Sequence, residues 1–169
     1  MSYRSKTLIA MAIAVGVAVA PLTSITLALA ADALPQSVQD ALTAALMDEY
    51  HAEAFYGAVL DRFGQVRPFA NIIRAEQNHA SAIIALMNAY GMAIPDNTLL
   101  GSADVAAVVP ATLGDACSVG VQAEIDNAAL YDSKLLPAVS GYADITFALE
   151  NLRDASQNMH LPAFQRCAT

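Results

Sequence analysis

The sequence predicts an all-α domain: a four-helix bundle made of two antiparallel hairpins joined by a long crossover. Three observations carry this expectation. Gly and Pro divide residues 36–166 into four long blocks. Within each block apolar residues recur at three-and-four spacing, the mark of one buried helical face. The middle connection, residues 91–111, is much longer than the other two, and no stretch reads as a strand.

The first block, residues 36–63, carries the stripe Val38, Leu42, Ala45, Tyr56, Leu60 and Phe63. Pro35 suits its first turn and Gly64 its end. The second, residues 68–90, carries Ile72, Ile73, Ile83, Met87 and Tyr90, stopped by Gly91 with Pro95 beyond. Residues 91–111 hold Pro95, Gly101 and Pro110 and no sustained period, a length that can travel the whole bundle. The third block, residues 112–136, carries Cys117, Val121, Leu130, Tyr131 and Leu135; Pro137 and Gly141 mark the next turn. The fourth, residues 143–166, carries Leu149, Leu152 and Phe164. Pro162 lies inside it, where its missing N–H should bend or break the last turn.

Ahead of this domain, Arg4 and Lys6 precede an apolar run from Leu8 to Ala20, and Ala28-Leu29-Ala30 follows. That is the order of a secretory signal peptide over residues 1–30, leaving residues 31–169 as the mature domain in the periplasm or outside the cell. The alternative is an uncleaved membrane anchor, since residues 7–30 carry no charge; Pro21, Thr23 and Ser24 interrupt it. Of all residues, 56% are hydrophobic and 14% charged, which excludes a disordered chain. Cleavage would leave six basic residues against 16 acidic ones, a net charge of −10. An acidic domain without a basic cluster argues against nucleic acid and, once cleaved, against anionic membranes as partners; it suits cations. A homodimer is among the assemblies the sequence allows.

The informative residues are polar ones at apolar positions. Glu49 falls on the inner stripe of the first helix, Glu76 and His79 on that of the second, Glu124 on the third and His160 on the fourth. A lone core carboxylate is costly and needs a countercharge or a proton. Three carboxylates and two histidines from all four helices point instead to metal ions. Glu76 and His79, three apart, project from one face and offer an oxygen and a nitrogen together. Glu49 lies about fifteen residues before the first turn and His79 about fifteen after it, so at ~1.5 Å per residue they meet at one level. Tyr56 follows Glu49 by seven residues, and Tyr131 follows Glu124 by seven. Either hydroxyl suits support of a ligand carboxylate, with an ordinary core tyrosine as the alternative. Glu53 is weighed as an additional ligand, Glu150 as a solvated residue near the site, and His51 as exposed.

Glu49 with Tyr56, Glu76-x-x-His79 and Glu124 resemble the ligand pattern of ferritin-like and rubrerythrin-like di-iron proteins. The stretches Asp48-Glu49-Tyr50, Pro68-Phe69-Ala70-Asn71-Ile72 and His160-Leu161-Pro162-Ala163-Phe164 resemble an uncharacterised family of prokaryotic ferritin-like domains. The resemblance covers most of residues 41–168. It implies a ferritin-like bundle, iron as cofactor with manganese or zinc as alternatives, and the metal ligands Glu49, Glu76, His79, Glu124, Gln157 and His160. Gln157 departs from the symmetrical pattern, which would have Glu three before His160. Aligning Ala155-x-Gln157-Asn158 with Ala75-x-Gln77-Asn78 would instead pair Ser156 with Glu76. Either way the second metal position is the weaker.

Cys117 opens the third helix and Cys167 closes the fourth, ends that lie side by side in an antiparallel hairpin. In an exported protein the pair favours a disulfide over a soft metal site or a redox pair. Three functions fit: a di-iron protein that reacts with oxygen or peroxide, with Tyr56 tuning or quenching oxidants; a metal-binding or interaction module without turnover; and a fold that has lost its site.

Overall fold

A computed structural model describes residues 33–168. The expected leader lies outside the described residues. Among those described, no helix is long and apolar enough to cross a membrane.

The described chain is all-helical. Helix α1 spans Gln36–Phe63 and α2 spans Phe69–Ala89; the two pack against each other as a hairpin. Gly64, at φ +80°, ends α1 with its N–H on the Leu60 carbonyl. Gly91, at φ +66°, ends α2: the Met92 N–H reaches back to the Met87 carbonyl and the Gly91 N–H to that of Asn88. That double closure needs a left-handed residue, which glycine supplies without strain.

The crossover is not wholly irregular, as the sequence suggested. It contains the short helix α3, Ala103–Ala107, capped by the Ser102 hydroxyl, and α3 packs on α1. The path is tied to the first hairpin by Asn97, whose amide donates to Glu53, and by Arg62, which donates to the Val109 carbonyl.

The second hairpin departs most from the sequence reading. Helix α4, Leu113–Leu130, runs on through a π-helical turn, Tyr131–Leu135, into α5, Leu136–Val139. Helix α6, Ala143–Ala155, runs through a second π turn, Ser156–His160, into α7, Leu161–Cys167. The third helix therefore does not stop before Pro137, and Pro162 does not break the fourth. In both cases a widened turn comes just before the proline. A proline inside an α-helix lacks one N–H and collides with the carbonyl four residues back. A turn closed five residues back relieves both problems. The same triplet, Leu-Pro-Ala, follows each π turn at residues 136–138 and 161–163.

Helix α1 packs on α4 and α5, and α2 on α6, closing the bundle. Two apolar layers result. One holds Leu42, Leu46, Ile83, Met87, Val139 and Leu149. The other holds Val59, Phe69, Ile72, Cys117 and Phe164. The second layer is tight. The Phe164 ring sits 5.0 Å from Phe69 and 5.2 Å from Tyr56, centroid to centroid. It also presses on the backbone of α4, where a Cβ added at Gly120 would lie 2.6 Å from the ring. With aromatic neighbours holding it, the ring has nowhere to retreat. Gly120→Ala should therefore destabilise the protein by about 1–3 kcal/mol, read as a lower urea midpoint. An unchanged midpoint would mean that the ring can move. The disulfide Cys117–Cys167 closes the same end, across 50 residues of sequence.

Candidate metal centre

Between the two apolar layers lies a polar one. Glu49, Glu76, Glu124 and His160 are all buried, and the His79 side chain is nearly so. Each sits where a helical stripe would otherwise bring an aliphatic residue, and the bundle brings all five together.

The arrangement is centred on Glu76. Its Oε2 lies 2.9 Å from Nδ1 of His79, and its Oε1 lies 3.1 Å from Nδ1 of His160. The Glu49 Oε2 lies 3.4 Å from Nδ1 of His79, and the Glu124 Oε2 lies 3.7 Å from Nδ1 of His160. The two imidazoles stand face to face, 5.6 Å apart at 21°. Two groups of three ligand atoms result, each within 4.8 Å: Glu49, Glu76 and His79, and Glu76, Glu124 and His160. The shared carboxylate is thus Glu76, on α2.

The outer oxygens of Glu49 and Glu124 are held by the two tyrosines, crosswise. The Tyr56 hydroxyl donates to Oε1 of Glu124 at 2.8 Å, and the Tyr131 hydroxyl donates to Oε1 of Glu49 at 2.9 Å. This exchange fixes α1 and α4 as antiparallel, since a seven-residue step forward on one meets a seven-residue step back on the other. Burial first, then the neighbouring carboxylates, push both phenols well above their ordinary pKa, so each keeps its proton and donates.

The π turn sets the place of His160. In an α-helix the partner on the same face would be Gln157, three residues earlier. The extra residue of the π turn makes the step four, and Ser156 is the buried residue. Gln157 is half-buried and makes no hydrogen bond to the cluster. Glu53 lies outside the cluster, accepting from Gln77 and Asn97. His51 and Glu150 are exposed. One partly buried pair went unread in the sequence: the Asn127 amide donates to Oδ2 of Asp48 at 2.6 Å, tying α4 to α1 beside the cluster. Its trace was the position of Asn127, one helical turn beyond Glu124 on the same face.

Do these residues fit metal ions? Nδ1 of His79 and Nδ1 of His160 are buried, close to carboxylate oxygens, yet neither makes an aligned hydrogen bond. Nitrogens and oxygens that crowd together without bonding one another are aimed at a common point between them. Ligand atoms about 2.0–2.2 Å from one ion must lie within roughly 4.4 Å of each other, and the nitrogen–oxygen pairs here, 2.9–3.7 Å apart, meet that limit. Mixed imidazole and carboxylate donors suit iron, manganese or zinc. The residues fit.

Without metal, the cluster balances its charge with protons. Burial lowers the affinity of His79 for a proton, but its contacts with Glu49 and Glu76 outweigh this and raise its pKa to about 10. His160 is likewise raised to about 9 by Glu124 and Glu76 against burial. Burial raises Glu49 to about 8. Glu76 goes the other way, to about 2, because the two imidazoles overcome its burial. All three shifts of His79, His160 and Glu49 run toward the protonated form, so metal binding would displace protons. Loading both positions should release up to about three protons, and affinity should rise from pH 6 to pH 9. Calorimetry in buffers of different ionisation enthalpy measures the release. A value near zero would contradict this charge state.

Residues 39–168 match the family described as Uncharacterized protein domain (DUF2202). A hypothetical protein from Methanococcus jannaschii DSM 2661, known from its crystal structure, is similar in fold. Its TM-score is 0.66 at 22% identity, over 80% of this chain and 81% of that one. Identity that low speaks to fold alone. No match is found among curated proteins.

Proposed function

We propose that this chain, which belongs to the DUF2202 family of uncharacterized protein domains, is an exported ferritin-like protein that binds two redox-active metal ions, iron first among them, and reacts with oxygen or peroxide. The observation that carries the reading is the pair of three-ligand groups sharing Glu76, with two buried histidine nitrogens lacking aligned hydrogen bonds. The helix order, two hairpins about one long crossover, supports the ferritin-like assignment. The disulfide supports an oxidising compartment.

Glu49, Glu76 and His79 would hold one ion; Glu76, Glu124 and His160 the other. Bound there, the ions would supply electron exchange and Lewis acidity. The chain supplies the rest. Its apolar layers above and below the cluster limit the approach of water from the two ends of the bundle. Tyr56 and Tyr131 fix the outer carboxylates by hydrogen bonds to Oε1 and leave Oε2 toward the histidine nitrogens, free to hold an ion. Tyr56→Phe should weaken metal binding about 10–100-fold, measured by competition with a chelator, while the fold persists. An unchanged affinity would leave Tyr56 as packing only.

Elemental mass spectrometry of the purified protein should find two transition-metal ions per chain. Added Fe(II) should be oxidised with uptake of oxygen, and this should vanish in Glu76→Ala and His79→Ala. Protein that takes up no metal, with both variants oxidising iron like wild type, would sink the proposal. A second reading is favoured by one observation: Ser156, not a carboxylate, stands where a fourth acidic ligand would complete the symmetry. The centre would then hold metal for structure. Strong thermal stabilisation by Zn(II) or Mn(II) with no oxygen consumption would select it.

A further inference from the structure

A cavity of about 360 Å³ opens between α1, α3 and α4 and reaches the carboxylates of Glu49, Glu76 and Glu124. Dioxygen or peroxide, the co-reactants of the proposed chemistry, are close to water in size, and water occupies about 30 Å³. The cavity is roughly ten times larger than they need. It falls within the range of small-molecule pockets, about 300–1,000 Å³.

Its lining defines the occupant. The walls are apolar: Phe55 from α1, Val105 and Val108 from α3, and Val119 from α4. Val108 and Val119 remain exposed at the rim, 68% and 41% accessible. No Lys or Arg lines the cavity, whereas Asp48 and Asp126 do. His51 is the one basic side chain on the lining, against five carboxylates, Asp48, Glu49, Glu76, Glu124 and Asp126, so before metal is bound the lining favours a cation over an anion.

Asn127 sharpens the assignment. It lines the same cavity, is 9% exposed, and its Oδ1 has no hydrogen-bond partner. The Asn127 amide nitrogen faces Asp48, donating to its Oδ2 at 2.6 Å. The orphan atom is therefore an oxygen that wants a donor. A buried acceptor left unpaired costs about 1–3 kcal/mol in general. An ammonium group, with several N–H donors and a positive charge, would satisfy this carbonyl and the Asp48 carboxylate together.

We infer that this cavity is a binding site for a small primary amine with an apolar body, its ammonium on Asp48 and Asn127 and its body against Phe55, Val105, Val108 and Val119. The amine would lie over the metal layer. The inference rests on the metal reading only for what the ligand meets at the cavity floor; the binding itself does not require it.

The test uses 2-phenylethylamine as probe, titrated calorimetrically into the full purified protein, with 3-phenylpropanoate and ammonium chloride as comparisons. The amine should bind one to one, and the other two at least tenfold more weakly. Asp48→Asn should weaken the amine at least tenfold. Ala123→Phe, which fills the cavity from its wall, should do the same while Mn(II) stoichiometry stays at the wild-type value. The Ala123 variant keeps the inference testable if Asp48→Asn fails to fold. No saturable amine binding, equal binding of the propanoate, or an Ala123→Phe protein that binds the amine like wild type would each overturn it. Amine binding in a protein that takes up no Mn(II) would uphold this site and defeat the metal proposal alone.

Discussion

Glu76→Ala is expected to empty both metal positions at once. Glu76 alone has an oxygen in each three-ligand group, Oε2 toward His79 and Oε1 toward His160. Glu49→Ala and Glu124→Ala each touch one group and should leave one ion per chain. The expected pattern is therefore zero, one and one, read by elemental mass spectrometry after equal loading. The metal-free Glu76→Ala protein should also suffer. It keeps two neighbouring imidazoles in a buried layer without the carboxylate that pairs with both. Removing one partner from a buried ion pair costs about 3–5 kcal/mol. The loss should be greatest just below the unfolded histidine value of 6.5 and shrink toward pH 10, where the imidazoles shed their protons in any case. The sign follows from linkage. A histidine raised above its unfolded value contributes stability below that value, and the contribution disappears as pH rises through the folded one. Two ions retained in Glu76→Ala would refute the shared role.

The disulfide should produce the other large effect. Cys117 and Cys167 are 50 residues apart in sequence, and closing a loop of that length contributes on the order of 4 kcal/mol in the chain-entropy account. Cys117→Ser with Cys167→Ser should lower the urea midpoint accordingly, and treating wild type with a reductant should reproduce the shift. The loss belongs to the end of the bundle holding Phe164 and Tyr56. Tyr56 supports Glu124, so metal affinity at the Glu76–Glu124–His160 position should fall with it. A reduced protein as stable as the oxidised one would show that packing around Phe164 suffices without the bond.

Much of this architecture was legible in the sequence. Gly64 and Gly91 end their helices as expected because both sit at positive φ, a backbone state that glycine adopts freely. Glu49, Glu76, His79, Glu124 and His160 stood out because each interrupts an apolar stripe, and all five meet. The Cys117–Cys167 pair followed from the ends of one hairpin. What the sequence concealed was helix geometry inside the second hairpin. The resemblance paired Gln157 with His160, while the local match of Ala155-x-Gln157-Asn158 to Ala75-x-Gln77-Asn78 offered Ser156, and a uniform 3.6 residues per turn could not decide between them. The π turn adds one residue and hands that register to Ser156. The repeated Leu-Pro-Ala was the visible trace, since a proline inside a continuing helix demands a widened turn ahead of it. The crosswise tyrosines were half legible. The seven-residue spacing was plain, but the partner of each hydroxyl depends on α1 and α4 running in opposite directions. The Asp48–Asn127 contact joins residues 79 apart, and its one trace is the place of Asn127, a turn beyond Glu124 on the same face.

The unequal ownership of the two ligand groups has a mechanical consequence. Glu49, Glu76 and His79 all belong to the α1–α2 hairpin, so an ion there would be the guest of one half of the molecule. Glu76, Glu124 and His160 come from both halves, so an ion there would be a weld across the seam. The first ion could be gained or lost without disturbing how the halves meet. Only the second would resist their being pulled apart.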